Sequence, residues 1–220
     1  LSGLSMTITP AKVGEWLKSY LLRERNGVPI SKSAPVIAAE RITDGFGMIL
    51  LAIAGLLLFK QGWVLIVFAA FVGSVIVLAL RYGPLARLVT SLASRTPILR
   101  RYAGFIENFY ESAHDLFSPK PLALSVVLGF ISWLGEGLAL YYVFLGLGAV
   151  NGWELMVEGI FILSIGTLAG VVFLAPGGLV VTEGGIAGLS KVLVGLSQEA
   201  AATATLLIRI CTLWFGVAIG

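Results

Sequence analysis

The chain is poor in the residues from which enzyme and metal sites are commonly built. Its 220 residues include one cysteine and one histidine. The single cysteine, Cys211, excludes an internal disulfide, and together with His114 it is too little for a cysteine or histidine metal site. Charged residues make up only 12% of the chain, and the N-terminus lacks the basic-then-apolar order of a signal peptide. We therefore predict no metal, no other cofactor and no soluble catalytic domain.

Apolar residues, in contrast, are abundant. They form 58% of the sequence, and the mean hydropathy is +0.97, which is typical of an integral membrane protein. The formal net charge is +3, but lysines and arginines stand in short segments between apolar runs, where they encode membrane orientation. We therefore predict membrane lipids as partners and no nucleic acid.

Five apolar windows are each about long enough to cross a ~30 Å hydrocarbon core. Two further segments are broken by proline and glycine at their starts, and we predict that they form short, broken or re-entrant helices. The sequence thus predicts an all-α, polytopic transmembrane bundle in one membrane domain, 1–220. The five windows are Ile42–Phe59, Trp63–Leu80, Leu122–Val150, Gly159–Ala175 and Ala200–Gly220, and the two broken segments are Thr9–Arg25 and Gly178–Leu196.

Positive charge predicts which side the connections face. Basic residues are concentrated before the first crossing and between the second and third, so both regions are expected in the cytoplasm. Leu147–Glu158 has no lysine or arginine and is expected on the opposite side. Within the segment 81–121, apolar residues recur at helical spacing, which predicts an amphipathic helix on the cytoplasmic interface. A linker packed on the bundle is an equal alternative.

Several charges lie inside the apolar windows. Glu136 is flanked on each side by fourteen hydrophobic or small residues. An ionisable group at such depth costs roughly 2.5–3.5 kcal/mol on insertion scales, so it is expected to face the bundle interior or a wet cavity. Glu40, Arg41 and Asp44 lie about two turns into a helix expected to begin near Ser31, and Arg209 lies near the centre of the last window.

A weak internal repeat relates the two ends of the chain. Shifting the first segment by 168 positions places Glu15 on Glu183, Arg41 on Arg209 and Gly27 on Gly195, within six identities over 33 positions. Transporters commonly consist of two repeats with interrupted helices near the substrate site. The predicted units are 10–59 and 176–220.

Two interpretations of these charges remain open. In one, Arg41 pairs with Glu15 or Glu40, and Arg209 pairs with Glu183 or Glu136, which would only hold helices together. In the other, the arginines bind a lipid phosphodiester, and the carboxylates bind an amine or tune the arginines. Glycines would then let the headgroup approach the helix start: Gly177, Gly178, Gly184 and Gly185. Helix packing is the role predicted for Gly166, Gly170 and Gly188.

The charged stretches resemble the flippase-like membrane domain of lysylphosphatidylglycerol synthases. Three stretches of this chain are similar to the first signature of that family: Thr9-Pro10-Ala11-Lys12-Val13-Gly14-Glu15, Arg23 to Gly27, and Ala39-Glu40-Arg41-Ile42-Thr43-Asp44. The second is similar to Ala175-Pro176-Gly177-Gly178, Thr182-Glu183-Gly184-Gly185 and Arg209. One departure is Val180, where the resemblance implies a small residue.

This resemblance implies a helical bundle that moves polar-headgroup lipids between leaflets. It also implies further helices before the first signature, so we expect the chain to be a fragment of a longer protein. Family members stand alone or are fused to transferase modules, so a soluble transferase is a possible partner or fused domain. The expected location is the cytoplasmic membrane of a prokaryote, and the expected site comprises Glu15, Glu40, Arg41, Asp44, Glu136, Gly177, Gly178, Glu183 and Arg209. We predict a transporter rather than an enzyme. The alternatives are a scaffold that docks a soluble partner and an intramembrane lipid-modifying enzyme; the oligomeric state stays open.

Overall fold

The computed structural model describes residues 5–9, 14, 16–59, 63–82, 91, 103–173 and 178–220. Within them the regular structure is entirely helical, so the all-α prediction is confirmed. A short 3₁₀ turn, Ser5–Ile8, precedes eight helices. These are α1 (Leu17–Asn26), α2 (Ile30–Phe59), α3 (Trp63–Arg81), α4 (Ala103–Leu116), α5 (Pro119–Gly146), α6 (Trp153–Val172), α7 (Val181–Leu189) and α8 (Gln198–Ile219).

Two helices contain π-helical turns. One such turn, Ser190–Val194, continues α7, and the other, Ile210–Trp214, interrupts α8 directly after Arg209. A π turn is rare and is frequently found at functional sites, because it breaks the regular ladder of backbone hydrogen bonds. Both turns lie in the second predicted unit.

Four of these helices are long and apolar enough to cross a membrane: α3, α5, α6 and α8. The remaining predicted window, Ile42–Phe59, is the second part of α2. That helix has 30 residues, which corresponds to about 45 Å. Its own crossing stays a prediction. The other four helices are sufficient to define the class of the protein, which is an integral membrane protein.

Helix α6 is the centre of the bundle. Its residues contribute to both hydrophobic core clusters. The first cluster joins α6 to α5, α7 and α8 through Leu140, Phe144, Leu155, Ile162, Leu163, Ile186, Ala204 and Ile208. The second joins α6 to α2 and α3 through Ile49, Ala52, Ile66, Phe161, Ile165 and Leu168.

Glycines allow the helices around α6 to approach closely. A Cβ added to Gly137 of α5 would lie 2.8 Å from the Cα of Ile160, and one added to Gly159 of α6 would lie 2.9 Å from the backbone N of Tyr141. The two contacts run in opposite order along the chain, so α5 and α6 are antiparallel. Small residues at such crossings are what membrane helices need to pack without a hydrophobic driving force.

The same packing joins α6 to α7. A Cβ on Gly166 would lie 2.9 Å from Ile186, and one on Gly170 would meet the hydroxyl of Thr182. These contacts confirm the packing role predicted for Gly166 and Gly170, and they make α6 and α7 antiparallel. Gly188 has no atom of the described residues within 4 Å of an added Cβ. Its predicted packing role was wrong, because Gly188 lies on the other face of α7.

Helix α4 packs on the bundle at the end where α3 finishes and α5 starts. Ala113 and Phe117 are fully buried. The guanidinium of Arg81 donates to the carbonyl oxygen of Phe117 at 3.2 Å, and Nδ1 of His114 lies 3.2 Å from the carbonyl oxygen of Arg81. Of the segment 81–121, positions 83–90 and 92–102 are outside the described residues. The membrane-interface interpretation of this helix stays a prediction.

A first test concerns the glycine at the crossing of α5 and α6. Gly137→Ala should lower the free energy of unfolding by about 1–3 kcal/mol, because the added methyl overpacks against the Ile160 backbone. The matched control is Gly135→Ala, since an added Cβ there has no described atom within 4 Å. It should be neutral, or stabilising by up to about 1 kcal/mol. Thermal unfolding in detergent micelles measures both, and equal destabilisation would contradict this account of the crossing.

Candidate functional site

A partly buried ion pair joins α7 to α8. Nε of Arg209 donates to Oε1 of Glu183 at 2.7 Å. Their side chains are 10% and 26% exposed, respectively. A charge-assisted hydrogen bond of this length is among the stronger polar contacts in proteins. Of the pairings that the sequence left open for Arg209, the structure contains the one with Glu183.

The start of α7 lies beside this ion pair. Gly178 has a φ of 72°, in the left-handed region that favours glycine. A Cβ added there would lie 3.4 Å from Cβ of Thr182 and 3.9 Å from Nη2 of Arg209. A larger residue would therefore be strained and would crowd the polar pair. The missing side chain keeps the backbone of the helix start close to the guanidinium.

The second oxygen of Glu183 is an unsatisfied acceptor. Oε2 is buried and has no hydrogen-bond donor among the described residues. Leaving such a group unsatisfied costs about 1–3 kcal/mol, and more when the group is charged. The carboxylate can therefore accept a hydrogen bond from a donor other than Arg209.

The other glycines of the second signature differ in their surroundings. Gly184 has no described atom within 4 Å of an added Cβ, so the surface there is open. A Cβ on Gly185 would lie 3.1 Å from Cα of Gly166, so Gly185 serves helix packing and not the predicted approach of a headgroup. Gly177 lies outside the described residues.

Val180 adopts a strained conformation immediately before α7. It has a φ of 70° and a ψ of −52°, and the backbone N–H of Val181 donates to the carbonyl oxygen of Leu179 at 2.9 Å. This is a γ-turn with positive φ, which is rare and unfavourable for a β-branched residue. The side chain is 82% exposed, so packing does not offset the strain. This is the position where the family resemblance implied a small residue.

A second cluster of charges joins α1 to α2. Nζ of Lys18 lies 3.3 Å from Oε2 of Glu40, and Nη2 of Arg41 lies 2.8 Å from Oε1 of the same glutamate. Nη2 of Arg41 is also 3.4 Å from Oδ2 of Asp44. The side chain of Arg41 is 31% exposed and that of Glu40 is 43% exposed. Glu15, predicted for this site, lies outside the described residues.

Helix α5 passes directly beside this cluster. A Cβ added to Gly129 would lie 3.5 Å from Oδ1 of Asp44, and one added to Gly47 would lie 2.8 Å from the backbone N of Phe130. Glu136 follows Gly129 on α5 by two helical turns and is half-buried.

Both clusters lie at a similar depth in the bundle. Gly170, which packs against the start of α7, is ten residues beyond Ile160, and Ile160 faces Gly137. Because α5 is antiparallel to α6, the part of α5 at the same depth as Gly170 lies about ten residues before Gly137. That part is close to Gly129, which lies beside Asp44. At 1.5 Å per residue, Gly129 lies about 15 Å from the start of α5 and about 25 Å from its end. The arginines are thus well inside the helical layer.

The chemistry available at this depth is binding and charge compensation. Within the described residues there is no group of three or more histidine, cysteine, aspartate or glutamate side chains able to hold a metal ion. Two arginine–carboxylate clusters remain, one well covered and one partly open. Guanidinium groups bind phosphates in a two-pronged geometry, and the carboxylates accept hydrogen bonds from amines or hydroxyls.

Comparison with known proteins identifies the family. The chain belongs to the family described as the lysylphosphatidylglycerol synthase TM region, which matches residues 1–220. A UPF0104 membrane protein of Methanothermobacter thermautotrophicus is 24% identical to this chain, over 94% of the chain and 67% of that relative. Another, from Methanocaldococcus jannaschii, is 28% identical over 80% of the chain and 74% of the relative. No solved structure matches the chain.

The two ion pairs should differ in strength. A double-mutant cycle with Glu183→Gln and Arg209→Gln should give a coupling energy of about 1.5–3 kcal/mol, because Arg209 is largely shielded from solvent. The cycle with Lys18→Gln and Glu40→Gln should give less than about 1 kcal/mol, as measured for exposed pairs. Chemical denaturation in micelles provides the four stabilities of each cycle. Equal coupling in the two cycles would be inconsistent with the difference in burial.

The strain at Val180 predicts an unusual stabilising change. Val180→Gly should raise the free energy of unfolding by about 1 kcal/mol, because glycine accepts a φ of 70° without a steric penalty. Val180→Ala is the matched control: it also shortens the side chain but retains a Cβ, so it should give no comparable gain. Melting temperatures of the three proteins decide the matter, and a gain from alanine equal to that from glycine would exclude backbone strain as the cause.

Proposed function

We propose that this protein moves lipids with anionic, phosphate-containing headgroups between the leaflets of the cytoplasmic membrane of a prokaryote. The observation that carries the proposal is the covered Arg209–Glu183 pair beside the interrupted start of α7. A charged pair in a helical layer is costly to maintain, and ionisable groups at such depth commonly mark a transport pathway. Interrupted helices near the substrate site are a feature of many transporters.

The proposed binding step is an exchange of partners at Arg209. Phosphodiester oxygens would accept hydrogen bonds from the Nη groups along one edge of the guanidinium, while Nε stays bonded to Glu183. Oε2 of Glu183 would accept a hydrogen bond from a headgroup amine or hydroxyl, which would remove the cost of leaving it unsatisfied. Gly184 leaves room for the headgroup beside Glu183, and Gly178 keeps the backbone of the helix start close to Arg209. Glu136, and Arg41 with its carboxylates, would line the rest of the route.

We propose a transporter rather than an enzyme, so the lipid should emerge chemically unchanged. A soluble transferase, fused or separate, would supply the modified lipid as its cargo. The scaffold alternative depends on the segment around α4. It is less favoured because Ala113 of α4, and Phe117 directly after it, are buried, and because a scaffold gives no role to the charges at mid-depth.

Lipid translocation in proteoliposomes tests this proposal. The full-length protein should move a fluorescent anionic phospholipid faster than protein-free liposomes. Arg209→Gln, Glu183→Gln and Glu136→Gln should each reduce that rate at least about tenfold at equal folded yield, which corresponds to roughly 1.4 kcal/mol. Lys191→Gln is the matched control, since Lys191 is exposed and bonds to Gln198 in the same hairpin.

Three results would count against the proposal. A wild-type rate no higher than that of empty liposomes would exclude translocation of the lipid tested. Full activity in all three site variants would show that the route lies elsewhere. A chemically altered lipid, detected by mass spectrometry, would favour the intramembrane enzyme.

A further inference from the structure

The hairpins at the two ends of the chain correspond element by element. Helix α1 is capped by Gly27 with φ 68°, and the π turn after α7 is capped by Gly195 with φ 74°. These glycines are 168 positions apart. The same shift carries Ile30, the first residue of α2, onto Gln198, the first residue of α8. The two helix starts, the two left-handed caps and the two arginines therefore share one offset, although few residues are identical.

The two hairpins run in opposite directions through the bundle. Helix α3 begins only four residues after the end of α2, and Phe46 contacts Gly73, so α2 and α3 form an antiparallel pair. The hydrogen bond from Arg81 to Phe117 places the end of α3 beside the start of α5, so α2 and α5 run the same way. Each step from α5 to α6, α7 and α8 reverses direction. Helix α8 therefore runs opposite to α2, and the turn before α8 lies at the opposite end of the bundle from the turn before α2.

The corresponding positions carry different side chains. Lys18 and Glu40, which form an ion pair, correspond to Ile186 and Ile208, which are both buried in the first core cluster. Asp44 corresponds to Thr212, whose hydroxyl donates to a backbone carbonyl in its own helix. The same location in the hairpin is thus polar and partly open around Arg41, but apolar and closed around Arg209. The side chains of the two arginines are 31% and 10% exposed.

We propose that residues 16–52 and 184–220 form an inverted pair whose arginines bind the same phosphate-ester headgroup in turn, one for each leaflet. We call the hairpin that contains Arg41 the Arg41 half and the hairpin that contains Arg209 the Arg209 half. In the described conformation the Arg41 half is open and the Arg209 half is closed. In a second conformation, the exchanged state, the Arg209 half is open and the Arg41 half is closed. This inference rests on the proposed lipid translocation for the role of the arginines, but the inverted relationship of the hairpins stands independently of it.

The packing of the bundle suits such an exchange. Each hairpin meets the central helices at a glycine: Asp44 lies against Gly129, and Thr182 lies against Gly170. Small residues at a helix contact permit sliding with little loss of packing, which is the shear type of domain motion. The exposed Lys18–Glu40 pair resists motion weakly, since such pairs contribute about 0–1 kcal/mol.

The inversion is tested by labelling the two turns from either side of a sealed membrane. Starting from Cys211→Ser in the full-length protein, single cysteines are introduced as Asn26→Cys beside the first turn or Gln198→Cys beside the second. A membrane-impermeant maleimide should label Asn26→Cys in inside-out vesicles and Gln198→Cys in right-side-out vesicles. Labelling of both from the same side would overturn the inverted pair.

The exchange is tested by making the first hairpin like the second. Lys18→Ile combined with Glu40→Ile copies Ile186 and Ile208, and should slow lipid translocation at least tenfold because the Arg41 half would then be closed. Lys32→Ile, which removes an exposed lysine of the same hairpin, should keep the wild-type rate. An undiminished rate in the double variant would overturn the exchange. A wild type without translocation would instead overturn the proposed function, and the labelling result would still decide the inversion.

Discussion

The pairing of Arg209 with Glu183 is the constraint around which the second half of the bundle is arranged. A guanidinium and a carboxylate inside a helical layer are tolerated only when they meet, since each alone would cost several kcal/mol. To meet, α7 and α8 must fold back on each other through the left-handed Gly195. Gly178 must lack a side chain beside Arg209, and Gly170 must leave space for Thr182. The glycines of this region thus follow from the ion pair.

Helix α6 provides the fixed surface on which this arrangement rests. It is apolar along most of its length, and its glycines let α5 and α7 pack at backbone distance, whereas α2 approaches it through Gly55, which lies against Phe161. Both core clusters include it. The charged hairpins are attached to this centre through small residues. The two arginine–carboxylate clusters are therefore carried by helices that pack on α6 or its neighbours, and not by α6 itself.

Much of this organisation was predictable because hydrophobic runs and glycine or proline breaks depend on local sequence. The apolar windows correspond closely to α3, α5, α6 and α8, and the helix expected near Ser31 begins at Ile30. The pair of Arg209 with Glu183, and that of Arg41 with Glu40, were among the alternatives considered. Lys18 was interpreted only as a topology signal, because its contact with Glu40 depends on the register of a hairpin. Nor could helix propensity reveal the positive φ of Val180 or the different faces of Gly185 and Gly188.

The composition of the two hairpins also bears on how the chain enters the bilayer during synthesis. Lys18, Glu40, Arg41 and Asp44 carry two positive and two negative charges, and all four lie within the first 59 residues. Glu183 and Arg209 balance each other within the last hairpin. Among the described residues, each hairpin thus brings its own countercharges and does not have to wait for a distant helix to neutralise them. The translocon can release each hairpin with the charges of its own cluster already paired, which lowers the penalty of placing those charges in lipid before the rest of the bundle exists.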